Sequence, residues 1–559
     1  VTGAATRGAG RWRRAALWLA LAALLAVGLT RGLWTPDEPR EAEIGREMYL
    51  APGVIPTLNG AAFVEKPPLY YWALAGAYAA TGGPSAAAAR AVSGLAALLT
   101  LAVLFLWLRR AVSERAGWIA VLLLATSSQF ALSTHWVLLD PLLMLWTTLA
   151  AWAFWERIVR SSPAAGTIPG ADHGARFLLL GYASLALAAW TKGLVGPVLV
   201  VAGLAVHGLV EERRRPWRAW RAWRPVWLAG FGLLVVASLG LALGAGGGWR
   251  AVSTWAWQNH VQRFLDPQGT GHSHAPHYYF VNLPVAVLPW IVPFAALFVP
   301  GFWRRLGARL PVARYAAALV GGGFLVLTAS ATKRETYLLP LLPPLFLLVA
   351  LACEEWLDRR SGDAPAGPAA WAQAALLALL APAPAVATMV YLGEFRPGAV
   401  AAALVGAGVA VTLLRAAARR RTRAALALGV VAAAVFVVTA LAVAAPALEP
   451  RKSFAPFLAW ADRELPAGAP VYACGADETL LGIVPFRTGR PVVEVGDEHR
   501  CEPERGTAGP AFVLLQVKGK GAGRPGPIDG YDLLRVDEIG SGRTFSLWRR
   551  HPDEPGGSE

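Results

Sequence analysis

The chain has 559 residues, 55% of them hydrophobic and 16% charged, with a formal net charge of +16. Soluble domains carry less apolar residue and more charge, and stretches of the ~17–25 apolar residues that cross a bilayer core recur here; a soluble enzyme is excluded and a polytopic membrane protein indicated. The basic excess does not describe a nucleic-acid groove, because the arginines gather in short clusters between apolar runs, as cytoplasmic loops do: Arg11/Arg13/Arg14, Arg109/Arg110/Arg115, Arg213 to Arg224, Arg304/Arg305/Arg309 and Arg415 to Arg423.

The first apolar run, AALWLALAALLAVGL, shows no small-x-small cleavage site before the charges resume, and reads as a retained helix over about 15–33. Directly after it comes TPDEPREAEIGREM (35–48), with five acids and two arginines. Thr35 and Glu38 have the spacing of a capping box. Pro39, however, lacks an N–H and disfavours helical geometry at Glu38. The helix is therefore expected to start at Pro39, with Asp37 just outside its positive end, Arg40, Glu43 and Glu47 along one side, and Glu41, Glu43 and Glu47 facing water.

In FVEKPPLYYW (63–72), Pro67 and Pro68 impose an extended bend beside Lys66. A lysine fixed at headgroup height can hold a lipid phosphate as a point charge, or it can snorkel as an ordinary interfacial lysine; both readings stand. Segment 69–82 has 14 residues, which suits an interfacial or re-entrant helix better than a span. With that segment on the surface, all five arginine clusters fall on one side. Spans are then expected at 15–33, 86–108, 117–133, 139–157, 176–190, 194–210, 225–247, 281–302, 313–330, 337–352, 371–391, 397–414 and 424–446. These thirteen leave 34–85, 248–280 and everything after 446 outside, with short outer turns near His135–Pro141, Thr191–Gly193 and Ala331–Thr336.

Asp140, in HWVLLDPLLMLW, opens a span at its outer end. An acid among apolar residues at the membrane is costly unless paired or wet, which makes it a functional candidate, while Pro141 behind it also suits an N-cap role. WQNHVQRFLDP (257–267) and ATKRETYLLP (331–340) add Arg263, Lys333, Arg334 and Tyr337 at the same face. Several cations gathered with two carboxylates point to an anionic substrate at an acid/base site.

After Pro446 the charge rises, a helical pattern appears near 454–464, and short β-type runs follow at 470–474, 490–495, 511–517 and 544–549. The expected organisation is a mainly α, helical membrane domain over 1–446 with a small α/β domain over 447–559. Cys474 and Cys501 lie in the latter, on the oxidising side, and either pair as a disulfide or stay as free thiols.

DEPREAEIGREM, PTLNG, EKPPLYYW, Asp140 after an apolar run, TKG (191–193), NHVQRF and TYLLP follow one another in an order that resembles one family. The chain is similar to the GT-C glycosyltransferases of the aminoarabinose lipid A transferase and protein O-mannosyltransferase clan, closest to the bacterial aminoarabinose-transferase branch. The resemblance covers about residues 15–350. It implies a polyprenyl-phosphate-linked sugar donor and a lipid or glycan acceptor, with transfer at the periplasmic face of the bacterial inner membrane by a monomer surrounded by membrane lipids. It also implies Asp37 and Asp140 as the catalytic acids, and Arg40, Lys66, Arg263 and Tyr337 as donor-phosphate ligands. Lys333 joins this set, although the lead KRETY departs from the family pattern. Glu65 and His260 match a pair that can share a divalent metal ion in this clan; a surface ion pair is the favoured reading. A protein O-mannosyltransferase and a polyprenyl-lipid flippase are the alternatives. A flippase would call for inverted repeats and broken helices near mid-membrane, whereas the charges here lie between spans.

Overall fold

The computed structural model describes residues 2–158, 171–211, 225–265, 274–359, 367–419, 421–497, 501, 510–518, 526–539 and 542–551. The expected cluster Arg213 to Arg224 lies outside the described residues. The chain divides into two compact units. One gathers Val1–Gly28, Val64–Tyr70 and Ala91–Ala444; the other gathers Leu29–Phe63, Tyr71–Arg90 and Ala445–Glu559.

The first unit is helical. Among the described residues six helices are long and apolar enough to cross a membrane: Ala86–Ala111, Gly307–Ala329, Glu335–Asp358, Pro368–Leu392, Pro397–Ala418 and Thr422–Lys452. Glu114–Ala125 and Ser128–Thr134, bent by 67°, make a seventh if counted together. The protein is thus a mainly helical, multi-span membrane protein. The expected span at 281–302 is not one helix. It is a succession of short pieces, Tyr278–Ala286, Ile291–Ala295, Ala296–Phe298 and Pro300–Arg305, because Pro284, Pro289, Pro293 and Pro300 each remove a ladder donor. Elsewhere helices approach backbone to backbone through glycine: a Cβ on Gly322 would stand 2.6 Å from the Ala202 carbonyl, the small-residue contact that membrane helices use in place of a hydrophobic drive.

The ends of these helices carry distinct chemistry. Arg115 bridges Glu354 (3.1 Å) and Asp358 (2.5 Å), Arg309 reaches Asp358 (2.9 Å) and Arg305 reaches Glu355 (2.7 Å). Members of two arginine clusters thereby meet at one end of the Glu335–Asp358 segment. Its 24 residues rise about 36 Å, more than the ~30 Å hydrocarbon core, and its other end carries Tyr337.

The second unit holds helix Asp37–Leu50, a small hairpin of β1 (Thr57–Leu58) and β2 (Ala61–Ala62), and a five-stranded mixed sheet. The sheet comprises β3 (Val471–Cys474), β4 (Val492–Gly496), β5 (Phe512–Lys518), β6 (Tyr531–Glu538) and β7 (Arg543–Arg550), in the order β4-β3-β5-β7-β6. β3 runs parallel to β4 and β5, while β7 is antiparallel to β5 and β6. All four expected β runs form strands, and Ala455–Glu464 is the expected helix. Besides the hairpin, the sheet-bearing region has two elements that the sequence did not indicate. β6 is an edge strand whose sequence YDLLRVDE is half charged, as exposed edges are. Helix Glu478–Thr488 contains Gly482 and Pro485 and has little intrinsic helix preference; Asp477 caps it, accepting from the Thr479 and Leu480 amides at 3.0 Å each. Cys474 and Cys501 are joined by a disulfide.

Two expectations for 35–48 are corrected. The helix begins at Asp37, not Pro39, because a proline within the first turn gives up an N–H that has no intrahelical partner there anyway. Glu41 and Glu43 are buried, not turned to water. A Cβ on Gly482 would stand 2.6 Å from the Arg40 nitrogen; the glycine lets helix Glu478–Thr488 lie directly on the Asp37–Leu50 backbone and covers that side.

Candidate active site

In the second unit the neighbours Asp37 and Glu38 occupy different surroundings. Glu38 is fully buried. It accepts from Arg90 Nε and Nη2 at 2.8 Å each, from Arg31 at 2.8 and 3.2 Å, and from the Trp34 amide at 2.8 Å. Burial alone would raise its pKa, but the Arg90 and Arg31 guanidiniums hold it below the ordinary carboxylate range. Arg90, itself fully buried, spends its remaining donors on the carbonyls of Leu29 (2.8 Å), Arg31 (2.5 Å) and Gly32 (2.7 Å). Glu38 is a pin for the chain leading into the helix. Glu449 adds a second tie, accepting from the Gly32 amide (2.8 Å) and the Trp34 indole (2.6 Å).

One residue away, Asp37 Oδ1 accepts from Arg40 at 3.1 Å. Arg40 also donates to Glu41 (2.7 and 3.2 Å) and to Glu478, and Tyr71 donates its hydroxyl to the other Glu41 oxygen at 2.8 Å. Every nitrogen of the Arg40 guanidinium is thus bonded to a carboxylate. Arg40 therefore holds Asp37, Glu41 and Glu478 in one cluster. Two turns along, Arg46 forks onto Glu43 with two 2.7 Å bonds; burial nonetheless pushes the Glu43 carboxyl up to about 7.

In the first unit Asp140 opens helix Asp140–Ile158 and accepts from the Lys192 ammonium at 2.6 Å. Lys192 lies 4.6 Å from the centre of the Tyr337 ring, within cation–π range. Asp140, Lys192 and Tyr337 come from the three short outer turns read from the sequence, and the fold draws these turns together. The Asp140 side chain is 5% exposed and that of Lys192 17%. Lys192 was not among the expected site residues; its signal is the TKG motif at the end of a span. Lys333 is buried, donates to the Ser330 carbonyl, and has its pKa lowered by that burial. The neighbouring turn is fixed by Tyr279, whose hydroxyl donates to the Arg334 carbonyl at 3.2 Å. Lys66 and Glu65 are half-buried. The side chains of Arg263 and His260 lie outside the described residues, so the Glu65–His260 pair has no geometry here. Among the described residues no three His, Cys, Asp or Glu side chains gather as a metal site, and no step is derived through a metal.

Residues 20–257 match the family model of dolichyl-phosphate-mannose-protein mannosyltransferase. The undecaprenyl phosphate-alpha-4-amino-4-deoxy-L-arabinose arabinosyl transferase of Shewanella sediminis is 30% identical over 58% of this chain, and that of Serratia proteamaculans 31% identical over 61%. ArnT from Cupriavidus metallidurans, crystallised with undecaprenyl phosphate, superposes with a TM-score of 0.70 at 20% identity, over 95% of this chain and 97% of that one. The chain is thus similar, over part of its length, to enzymes that transfer sugars from lipid phosphates. It shares the ArnT fold, mixed C-terminal sheet included. The sequence matches span 57% and 58% of the lengths of the Shewanella and Serratia proteins. Both carboxylates fall within the matched residues 20–257, as do Arg40, Lys66 and Lys192.

Proposed function

We propose that the protein transfers a 4-amino-4-deoxy-arabinose-type sugar from undecaprenyl phosphate to lipid A at the periplasmic face of the inner membrane. The observation that carries this reading is the Asp140–Lys192–Tyr337 contact, a cation fixed between a carboxylate and an aromatic ring where three outer turns meet. Breaking the bond between the sugar's anomeric carbon and the donor phosphate oxygen leaves the electron pair, and added negative charge, on that phosphate. Lys192 has three N–H donors, of which Asp140 takes one, and its fixed charge is suited to stabilise the leaving phosphate. Lys66 and Lys333 are assigned to the same anion. Asp37 is assigned to the acceptor: it removes the proton of a hydroxyl acceptor or orients the sugar for a phosphate acceptor, which needs no base. Arg40 is assigned to positioning Asp37.

The arginine-bearing helix ends are read as cytoplasmic. The same reading keeps the thirteen crossings expected from the apolar runs, and the 1–446 and 447–559 division expected from the rise in charge and the β-type runs after Pro446. The test is transfer in membranes supplied with the undecaprenyl-linked sugar, with lipid A read by mass spectrometry. The wild-type chain should add the sugar and Asp37→Asn should not. Transfer by Asp37→Asn at the wild-type rate would remove that residue from the chemistry, and no transfer by the wild type would reject the substrate pair.

A further inference from the structure

In helix Glu478–Thr488 of the second unit, Thr479, Gly482 and Phe486 recur at the i, i+3, i+7 spacing that puts residues on one face. That face lies on the start of helix Asp37–Leu50. Thr479 is buried and donates its hydroxyl at 3.1 Å to the carbonyl of Pro36, the residue before Asp37. A Cβ on Gly482 would stand 2.6 Å from both the Pro39 carbonyl carbon and the Arg40 nitrogen, so the two backbones meet on the other side of Asp37. The Phe486 ring lies 6.5 Å from that of Tyr78, and Tyr78 donates its hydroxyl to the Ala42 carbonyl at 3.1 Å. At the edge of the same face Glu478 accepts from Arg40 Nη1, while Arg40 Nη2 donates to Asp37.

These contacts grip the backbone before and after Asp37 and the guanidinium that bonds its carboxylate. They are made by a hydroxyl, a glycine and a carboxylate, which bury little apolar area and so add little hydrophobic stabilisation. The hydrophobic anchoring of the helix comes instead from Leu480, Ile483 and Val484, all buried. What the polar contacts supply is a fixed geometry, and a catalytic carboxylate depends on geometry steeply: a misplacement of about 1 Å can cost a hundredfold in rate. We propose that Glu478, Thr479 and Gly482 are positioning residues for Asp37, so that a helix 438 residues beyond Arg40 belongs to the transfer machinery. The role rests on Asp37 acting on the acceptor.

The full-length protein in detergent is followed by its melting temperature, by hydrogen exchange of the backbone amides of 34–43, and by kcat and KM for the undecaprenyl-linked sugar. Glu478→Gln keeps an oxygen for Arg40 but loses the charge, and should lower kcat about tenfold with KM unchanged. Thr479→Val, close to isosteric, should lower kcat about fivefold. Gly482→Ala must part the backbones by about 1 Å to restore an ordinary carbon contact, and should lower kcat about a hundredfold. Exchange across 34–43 should quicken in all three, while Glu478→Gln and Thr479→Val melt with the wild type. Arg490→Gln breaks the 2.8 Å ion pair with Asp462 in the same unit; it should melt earlier and leave kcat and the exchange of 34–43 as they are. Unchanged exchange in the three variants would overturn the proposal whatever the activity. So would full kcat in Glu478→Gln and Thr479→Val, or an equal loss of kcat in Arg490→Gln, which would reduce the helix to a stabilising role. Quickened exchange in a protein whose wild type transfers no sugar would reject the substrate pair and leave the helix as the holder of the Asp37 turn.

Discussion

Asp37 and Glu38 are adjacent acids in the first turn of one helix, and they should fail in opposite ways when neutralised. Glu38→Gln leaves Arg31 and Arg90 buried against an amide that presents N–H to N–H on one side and carries no charge. Removing one partner of a buried ion pair costs about 3–5 kcal/mol, and four guanidinium bonds converge on this carboxylate, so the loss should reach that range. The melting temperature in detergent should fall on the order of 10 °C. Asp37→Asn keeps an Oδ1 that can accept the 3.1 Å bond from Arg40, so its stability cost should stay below about 1 kcal/mol while transfer activity disappears. The pH dependence follows the same logic. Glu38 has a folded pKa below its ordinary value, so its contribution is fully present above ~4.5 and is lost as pH falls from there through the folded value. Glu38→Gln should flatten that acid limb and Asp37→Asn should leave it. Heat unfolding followed by tryptophan fluorescence, paired with the transfer assay, reads both quantities. An Asp37→Asn protein that melts as early as Glu38→Gln, or a Glu38→Gln protein that melts with the wild type, would refute the division between the two acids.

Lys192→Met should lower turnover by about 10²–10³, the loss of one fixed charge-stabilising group, and Asp140→Asn should lower it less. Because the two residues share one 2.6 Å bond, the double variant should cost less than the sum of the single ones; strict additivity would deny the coupling. Glu43, with its pKa raised to about 7, should act in the opposite sense to Glu38. The folded state retains a proton that the unfolded chain releases near 4.5, so stability declines as pH rises from about 4.5 to 7, by up to about 3 kcal/mol. Glu43→Gln should remove that decline in a series of melts across the window. Reducing the Cys474–Cys501 disulfide, whose cysteines are 27 residues apart, should destabilise the sheet-bearing unit by about 3–4 kcal/mol, seen as a lower melting temperature with reductant.

Much of the architecture was legible because its signals are local. Apolar length gives spans, arginine clusters give helix ends, and alternation with turn residues gives the four recognised strands. Three of the misreadings share one cause, which is that proline and glycine act according to what surrounds them. Four prolines broke the run at 281–302, where apolar length alone suggested one helix, yet Pro39 fits inside the first turn of Asp37–Leu50. Gly482 and Pro485, poor residues for an isolated helix, sit in one because a capping aspartate and a close backbone neighbour favour it. β6 escaped notice because an edge strand need not bury a regular apolar face.

The site residues were legible as types and positions, whereas their roles depend on partners far along the chain. Glu38 is decided by Arg90 and Asp140 by Lys192, each 52 residues away, and Arg40 by Glu478, 438 residues away. Sequence places Glu38, Arg40, Asp140 and Lys192 at one kind of location, the outer turns and the charged first loop, and so identifies an acid-and-cation chemistry. It does not say which cation is already spoken for. In the structure Arg90 and Arg40 give their donors to carboxylates and carbonyls, so their charge is compensated before any ligand arrives. Lys192 gives Asp140 one donor of three. A lipid phosphate is best met by a cation with donors to spare, and on that count the lysine that sequence passed over is a stronger candidate than the arginine it favoured.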